Sequence, residues 1–237
     1  MLLNLFESGF SKESIISLLL FLPVLLISLT VHEYCHGYAA YKCGDNTAQW
    51  HGRLTLNPFK HLDPLGTIMM LTVGFGFARP VPINPRNFRH YKRDLCIVSV
   101  AGPLSNVFLA FIGLILYYSV AVVVEFNEPA IASNEFLAKF FVLWVKFITS
   151  FILANTTLAV FNMIPIPPLD GSRIISVLLP LKVQIFFEKY ERIIMFVVFI
   201  LIWRGSLDGI INFFGEKLLS VLDLAVSIPF NFFINLR

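Results

Sequence analysis

Two histidines four residues apart, with a glutamate beside the first, sit in a stretch that is otherwise apolar. The motif is His32-Glu33-Tyr34-Cys35-His36, and residues 15–31 before it carry almost no charge. On a helix, side chains four apart share one face, so both imidazoles can reach one metal ion. The carboxylate next to them can then polarise a water held by that ion. An ionisable side chain at membrane depth costs about 3 kcal/mol or more. Two helix histidines bonded only to neighbours are the simpler reading. Three ionisable groups needing partners in hydrocarbon weigh against it, and the pattern points to hydrolysis within a membrane.

Composition supports that setting. Of 237 residues, 57% are hydrophobic and 25 are phenylalanine, and mean hydropathy is +0.77. Charged residues make up 14%, where a soluble protein has roughly 25%. The chain reads as an all-α polytopic membrane protein, one membrane-embedded domain over 1–237, with the lipid bilayer as a partner and no nucleic acid. The net charge of +3 says less than its distribution. The three cysteines, Cys35, Cys43 and Cys96, have no framework spacing, so no disulfide is expected. Cys35 points away from the face the histidines share and reads as a packing residue; Cys43 is a weak ligand candidate. Residues 1–10 hold Glu7 and no Lys or Arg, so the leading apolar run reads as a retained helix rather than a signal peptide.

The elements that must position the motif follow from periodicity and breakers. A first helix is expected over about 12–41, with Ser11 as N-cap and Gly44 as stop. Residues 45–63 are polar, and the Arg53-Leu-Thr-Leu56 alternation suggests a short strand, part of a small membrane-inserted β element near 50–80. Residues 64–70 followed by Val73-Gly-Phe-Gly-Phe77 read as a partly inserted or re-entrant segment. Gly74-x-Gly76 lacks the third glycine and the strand–helix setting of a nucleotide site, so none is expected. Further spans are expected over 94–124, where Ala101-Gly-Pro-Leu-Ser-Asn106 invites close helix approach and Pro103 a kink, and over 136–161. A proline-broken stretch, 162–171, then leads to an amphipathic piece over 172–181 and apolar segments over 192–203 and 210–228. The total is a bundle of about five to six transmembrane segments.

Basic stretches at 42–60, 79–93 and 173–192 contrast with an acidic turn at 125–135. The basic loops are expected on the cytoplasmic side and the N-terminus outside. A catalytic zinc takes three protein ligands and keeps a fourth position open. His32 and His36 supply two. Candidates for the third are His51, His61, Asp45, Asp63, Asp94, Asp170 and Asp208. Asp170 follows an inward-running span at the depth of the histidines, in a stretch whose backbone is free to aim it inward. Asp45 and Asp63 read as loop carboxylates, with His51 and His61 as loop alternatives. Asn162, eight residues earlier, offers an amide donor for a tetrahedral oxyanion. Alone, Asn162 would be a helix cap and Asp170-Gly171 a turn.

These residues carry a resemblance. His32-Glu33-x-x-His36 together with Asn162 through Asp170-Gly171, in that order, resembles the site-2 protease family of intramembrane zinc metalloproteases. Gly52-Arg-Leu-Thr-Leu-Asn-Pro58, His61-x-Asp-Pro-x-Gly66, Gly74-x-Gly76 and Ala101-Gly-Pro-x-x-Asn106 resemble its compact bacterial and archaeal members, and the matches cover roughly residues 30 to 172. The resemblance implies one Zn2+ held by His32, His36 and Asp170, Glu33 as general base and Asn162 as transition-state stabiliser. It implies cleavage of a substrate protein's transmembrane helix near the cytoplasmic side of a prokaryotic cell membrane, and a membrane-embedded sheet over about 50–80 able to pair with an unwound substrate strand. No stretch between the motifs is long enough for a PDZ domain, none after them for a nucleotide-sensing domain, and the leading helix of some members is missing. Substrate identity, gating and oligomeric state are left open. The rival readings are a non-proteolytic membrane metal-binding or transport protein using the same His/Asp cluster, and a prenyl-peptide type of zinc protease.

Overall fold

The computed structural model describes residues 12–64, 66, 67, 69 and 78–235. Its helices are α1 (Lys12–Lys42), α2 (Thr47–Trp50), α3 (Tyr91–Phe126), α4 (Glu128–Ala132), α5 (Glu135–Asn162), α6 (Asp170–Ser176), α7 (Leu181–Trp203) and α8 (Asp208–Asn235). Short 3-10 turns at Pro58–Lys60 and Pro85–Asn87 punctuate the connection from α2 to α3.

Among the described residues three helices are long and apolar enough to cross a membrane: Ile15–Lys42, Tyr91–Phe126 and Glu135–Asn162, of 28, 36 and 28 residues. At 1.5 Å per residue they extend roughly 42–54 Å, more than the ~30 Å hydrocarbon core. Runs of Leu, Ile, Val and Phe in lipid must satisfy their backbone groups internally, and a helix does so. The chain is an integral, multi-pass membrane protein. Asn134 caps α5, accepting from Phe136 N (3.0 Å) and Leu137 N (3.2 Å). Asp94, fully buried, reaches back from α3 to the His90 N–H at 2.8 Å.

Two expectations are corrected. Among the described residues the count of five to six spans falls to three, or up to four if α7 and α8 form one broken span. Residues 192–203 are only the apolar half of α7, whose first half carries Lys182, Glu188, Lys189 and Glu191. The two helices then meet at a 78° bend, around Gly205 at φ +68°, a conformation side chains other than glycine rarely adopt. The β element near 50–80 is also absent among the described residues, which contain no strand and only an isolated antiparallel bridge, Leu62 to Ala78. The Arg53-Leu-Thr-Leu56 alternation has another cause. Arg53 is buried to bond the carbonyl of Arg79, Leu54 packs beneath Gly37, and Leu56 is exposed. Ser11 and most of the expected re-entrant segment, with Gly74-x-Gly76, lie outside the described residues.

The centre of the bundle is α3, which packs against α1, α5, α6 and α8. Leu114 of α3 meets Ile148 and Ile152 of α5 and Val226 of α8, while Val24 of α1 packs on Phe151 and Ala154 of α5. Lipid is as apolar as leucine, so close packing and interhelical hydrogen bonds hold such helices together. Outside the spans, Asp45 fastens the start of the α1–α3 connection to its end. Fully buried, it accepts from Thr47 N (3.1 Å), the Thr47 hydroxyl, Asn84 N (2.7 Å) and Asn87 Nδ2 (2.7 Å).

Burial pushes the Asp45 carboxyl up, but the Thr47 hydroxyl and the Asn84, Asn87 and Thr47 amides outweigh it and hold it below its ordinary value. A depressed carboxyl stabilises the fold above its unfolded value, about pH 4, and loses that contribution as pH falls through the folded value. The Asp45→Asn variant is therefore expected to be less stable at neutral pH by about 1–3 kcal/mol. Thermal unfolding in detergent should show its midpoint falling less than that of the wild type as the solution is acidified below about pH 4.

Candidate metal centre

His32 and His36 lie one turn apart near the end of α1, and Asp170 opens α6. The three are brought together although 134 residues separate His36 from Asp170. Asp170 Oδ2 lies 3.2 Å from His32 Nε2 and 3.1 Å from His36 Nε2, and the two Nε2 atoms are 3.0 Å apart. All three residues are buried, and among the described residues they form the one His/Cys/Asp/Glu group able to hold a metal ion.

The other ring nitrogens decide the chemistry of this cluster. His36 Nδ1 is 2.7 Å from the Val98 carbonyl, which can only accept, so Nδ1 carries the proton. His32 Nδ1 is 2.6 Å from Asn106 Oδ1. That oxygen also accepts, because Asn106 Nδ2 donates to Asn155 Oδ1 (2.9 Å) and toward the Ser28 carbonyl (3.4 Å). In its neutral form each imidazole therefore turns an Nε2 lone pair toward the other and toward a carboxylate oxygen. Three lone pairs meeting about 3 Å apart repel in a medium of low dielectric. A divalent cation between them turns repulsion into ligation, and donation from the second nitrogen is the usual way a metal-binding histidine is oriented. The residues fit one Zn2+ per chain.

The backbone is shaped around this cluster. A Cβ on Gly102 of α3 would fall 2.2 Å from His36 Nε2 and 2.7 Å from His32 Nε2, so only glycine lets α3 pass beneath the rings. A Cβ on Gly171 would fall 2.3 Å from the Met163 carbonyl oxygen. That contact folds the proline-broken stretch back on itself and returns Asp170 to the end of α5. Glu33 is partly buried, and its Oε2 accepts from Val81 N at 2.8 Å.

The other ligand candidates are engaged elsewhere. His51 Nδ1 bonds the Thr47 carbonyl and His61 Nε2 the Thr55 carbonyl. Asp45 and Asp94 hold turns, Asp63 accepts from Gly66 N, and Asp208 opens α8 beside Gly205. Cys35 is half-buried and meets Ser105, and Cys43 joins an apolar cluster with Ala40 and Phe88. Asn162 ends α5 and donates through Nδ2 to the Leu158 carbonyl at 3.0 Å, which leaves its second amide proton for another acceptor. Sequence reasoning missed the roles of Asn106 and Asn155. Each is fully buried in an apolar span, and a buried amide at that depth was the available signal.

Comparison with known proteins decides the family. The model of peptidase family M50 matches residues 20–204. The chain belongs to peptidase family M50. The resemblance carried by the paired motifs is thus borne out. One M50 relative, described as "Putative zinc metalloprotease YwhC" of Bacillus subtilis, is 44% identical over 182 residues, covering 74% of this chain and 78% of its own. Another, "Putative zinc metalloprotease Rip2" of Mycolicibacterium smegmatis, is 33% identical over 151 residues, covering 62% of this chain and 52% of its own. The Rip2 protein of Mycobacterium tuberculosis is 31% identical over 152 residues, with the same two coverages. The chain thus matches about half the length of the Rip2 relatives. No solved structure matches it.

In this M50 chain the rings depend on α3 for both orientation and space. The Asn106→Ala variant should bind zinc about 10–100-fold more weakly in a chelator competition. Gly102→Ala should lose zinc almost entirely, whereas Gly209→Ala, where a Cβ meets nothing within 4 Å, should bind it as the wild type does.

Proposed function

We propose that this chain hydrolyses a peptide bond within the transmembrane segment of a membrane-protein substrate, using His32, His36 and Asp170 as zinc ligands. The observation that carries the reading is the convergence of two imidazole Nε2 atoms and a carboxylate oxygen among apolar helices. Membership of an M50 peptidase family supports it independently. Zinc held by such ligands lowers the pKa of water and polarises a carbonyl oxygen.

The remaining steps fall to the chain's own side chains. Glu33, next to His32, takes the proton of the attacking water and passes it to the nitrogen of the departing amine. Val81 N holds one oxygen of that carboxylate, Oε2, which fixes the plane of the other. The second amide proton of Asn162 is the donor for the negative charge on the tetrahedral carbonyl oxygen. Asn162 ends α5, and the close approach of Gly171 to the Met163 carbonyl, just beyond that end, supports this role. His32, His36 and Asp170 are buried, so contacts made there act in a low dielectric.

Residues 1–237 act as one membrane-embedded domain in this proposal. Basic stretches at 42–60, 79–93 and 173–192 support a cytoplasmic placement of the inner ends of α1 and α5. The site then opens toward the cytoplasmic side of a prokaryotic cell membrane. Metal transport, the other use of such a cluster, would need no carboxylate base beside the ligands, and Glu33 supports hydrolysis instead.

The Glu33→Gln variant should retain one zinc per chain and cleave a defined single-span substrate at least ~100-fold more slowly. Product masses from the wild type should place the cut inside the substrate's apolar segment. Cleavage by Glu33→Gln at the wild-type rate would sink the mechanism.

A further inference from the structure

The backbone that meets Glu33 is gripped from behind. Val81 N donates to Glu33 Oε2 at 2.8 Å. Two residues earlier, Arg79 N donates to the His61 carbonyl at 2.8 Å, and Arg53 Nη2 donates to the Arg79 carbonyl at 2.5 Å. His61 is itself buried and tied through Nε2 to the Thr55 carbonyl at 2.8 Å. Residues 53–62 thus frame a short extended piece, 78–81, whose far side is the contact with the catalytic carboxylate.

Arg53 is the unexpected member of that frame. It is 7% exposed, and among the described residues no carboxylate lies within ion-pair distance and its Nε has no hydrogen-bond partner. Removing a guanidinium from water costs several kcal/mol, and one bond to a carbonyl recovers only part of that. A neutral side chain of similar length would fill the same space at lower cost. Burial holds the guanidinium below its ordinary value, while the negative charge of Glu33 pulls it back up and Arg79 adds to the drop.

We propose that Arg53 is a positioning residue for Glu33. By fixing the Arg79 carbonyl it sets Val81 N against Oε2, so that the proton taken from water goes to Oε1. A direct ion pair would compete with the attacking water for the free carboxylate oxygen, and a neutral residue would leave the Arg79 carbonyl without this donor. This role rests on the proteolytic reading, in which Glu33 moves the proton.

The test uses the full-length chain in detergent micelles, with an internally quenched single-span peptide as probe, and the variants Arg53→Met and Arg53→Lys. Arg53→Met should keep its zinc, melting temperature and KM while kcat falls about 10–100-fold. Amide hydrogen exchange over 80–82 should speed up in the same variant. Pro80 and Pro82 have no amide, so that signal belongs to Val81 alone. Arg53→Lys, which keeps a positive charge and a donor for the Arg79 carbonyl, should recover most of kcat. Wild-type kcat and wild-type Val81 protection in Arg53→Met would overturn the proposal. So would a loss of zinc and melting temperature along with kcat that Arg53→Lys fails to restore, since that describes a merely structural support. If wild-type protein leaves the peptide uncut, the proteolytic reading fails, and Val81 exchange alone decides whether Arg53 holds that amide on Glu33.

Discussion

Three electron pairs directed at one point inside an apolar bundle set the terms for the rest of this molecule. His32 Nε2, His36 Nε2 and Asp170 Oδ2 stand 3.0–3.2 Å apart, where no bulk water can spread their charge. Such an arrangement persists only if each ring is held by its other nitrogen. The Val98 carbonyl does this for His36. A relay of two amides, Asn106 and Asn155, does it for His32 across three helices, α1, α3 and α5. The relay ends on the Phe151 carbonyl, 2.8 Å from Asn155 Nδ2, so the side-chain amides are spent within the bundle. Hydrogen bonds between helices in a bilayer are worth about 0.6–2 kcal/mol each. They do little for overall stability and much for the orientation of the rings.

Packing then answers to the same point. α3 lies under the rings because Gly102 leaves room, and its neighbour α6 brings Asp170. The three prolines between α5 and α6 prevent one continuous helix, which would have carried Asp170 away along the α5 axis. Outside the bundle, Asp45 and Arg53 tie the connection between α1 and α3 to itself, and this connection delivers Val81 to Glu33. The site is thus built at helix ends and breaks, where side chains from distant parts of the chain can converge without crossing lipid.

Much of this could be read before any coordinates, for reasons that differ by residue. His32 and His36 were legible because helical spacing alone places the two imidazoles on one face, and because charge in an apolar run calls for a use. Asp170 was legible through topology, since an inward span followed by a break returns the chain to the depth of the histidines. The number of spans was not. Hydropathy scores 192–203 as apolar, but the charges that begin α7 and the bend at Gly205 concern how two helices meet. The short strand failed because alternation of Arg, Leu, Thr and Leu arises equally when one buried arginine reaches a distant carbonyl. Asn106 was visible only as part of a small-residue motif, and its role depends on which helix lies opposite. Asn155 and Arg53 act entirely through partners far along the chain, so no local pattern announced them.

Two imidazoles and one carboxylate are placed to hold a single zinc in the membrane-embedded bundle. X-ray absorption at the zinc edge of the purified protein measures that directly. The expected spectrum shows one zinc per chain with nitrogen and oxygen neighbours at about 2.0–2.2 Å and multiple scattering from two imidazole rings. A sulfur neighbour at about 2.3 Å, a third imidazole, or a protein that takes up no zinc would contradict it.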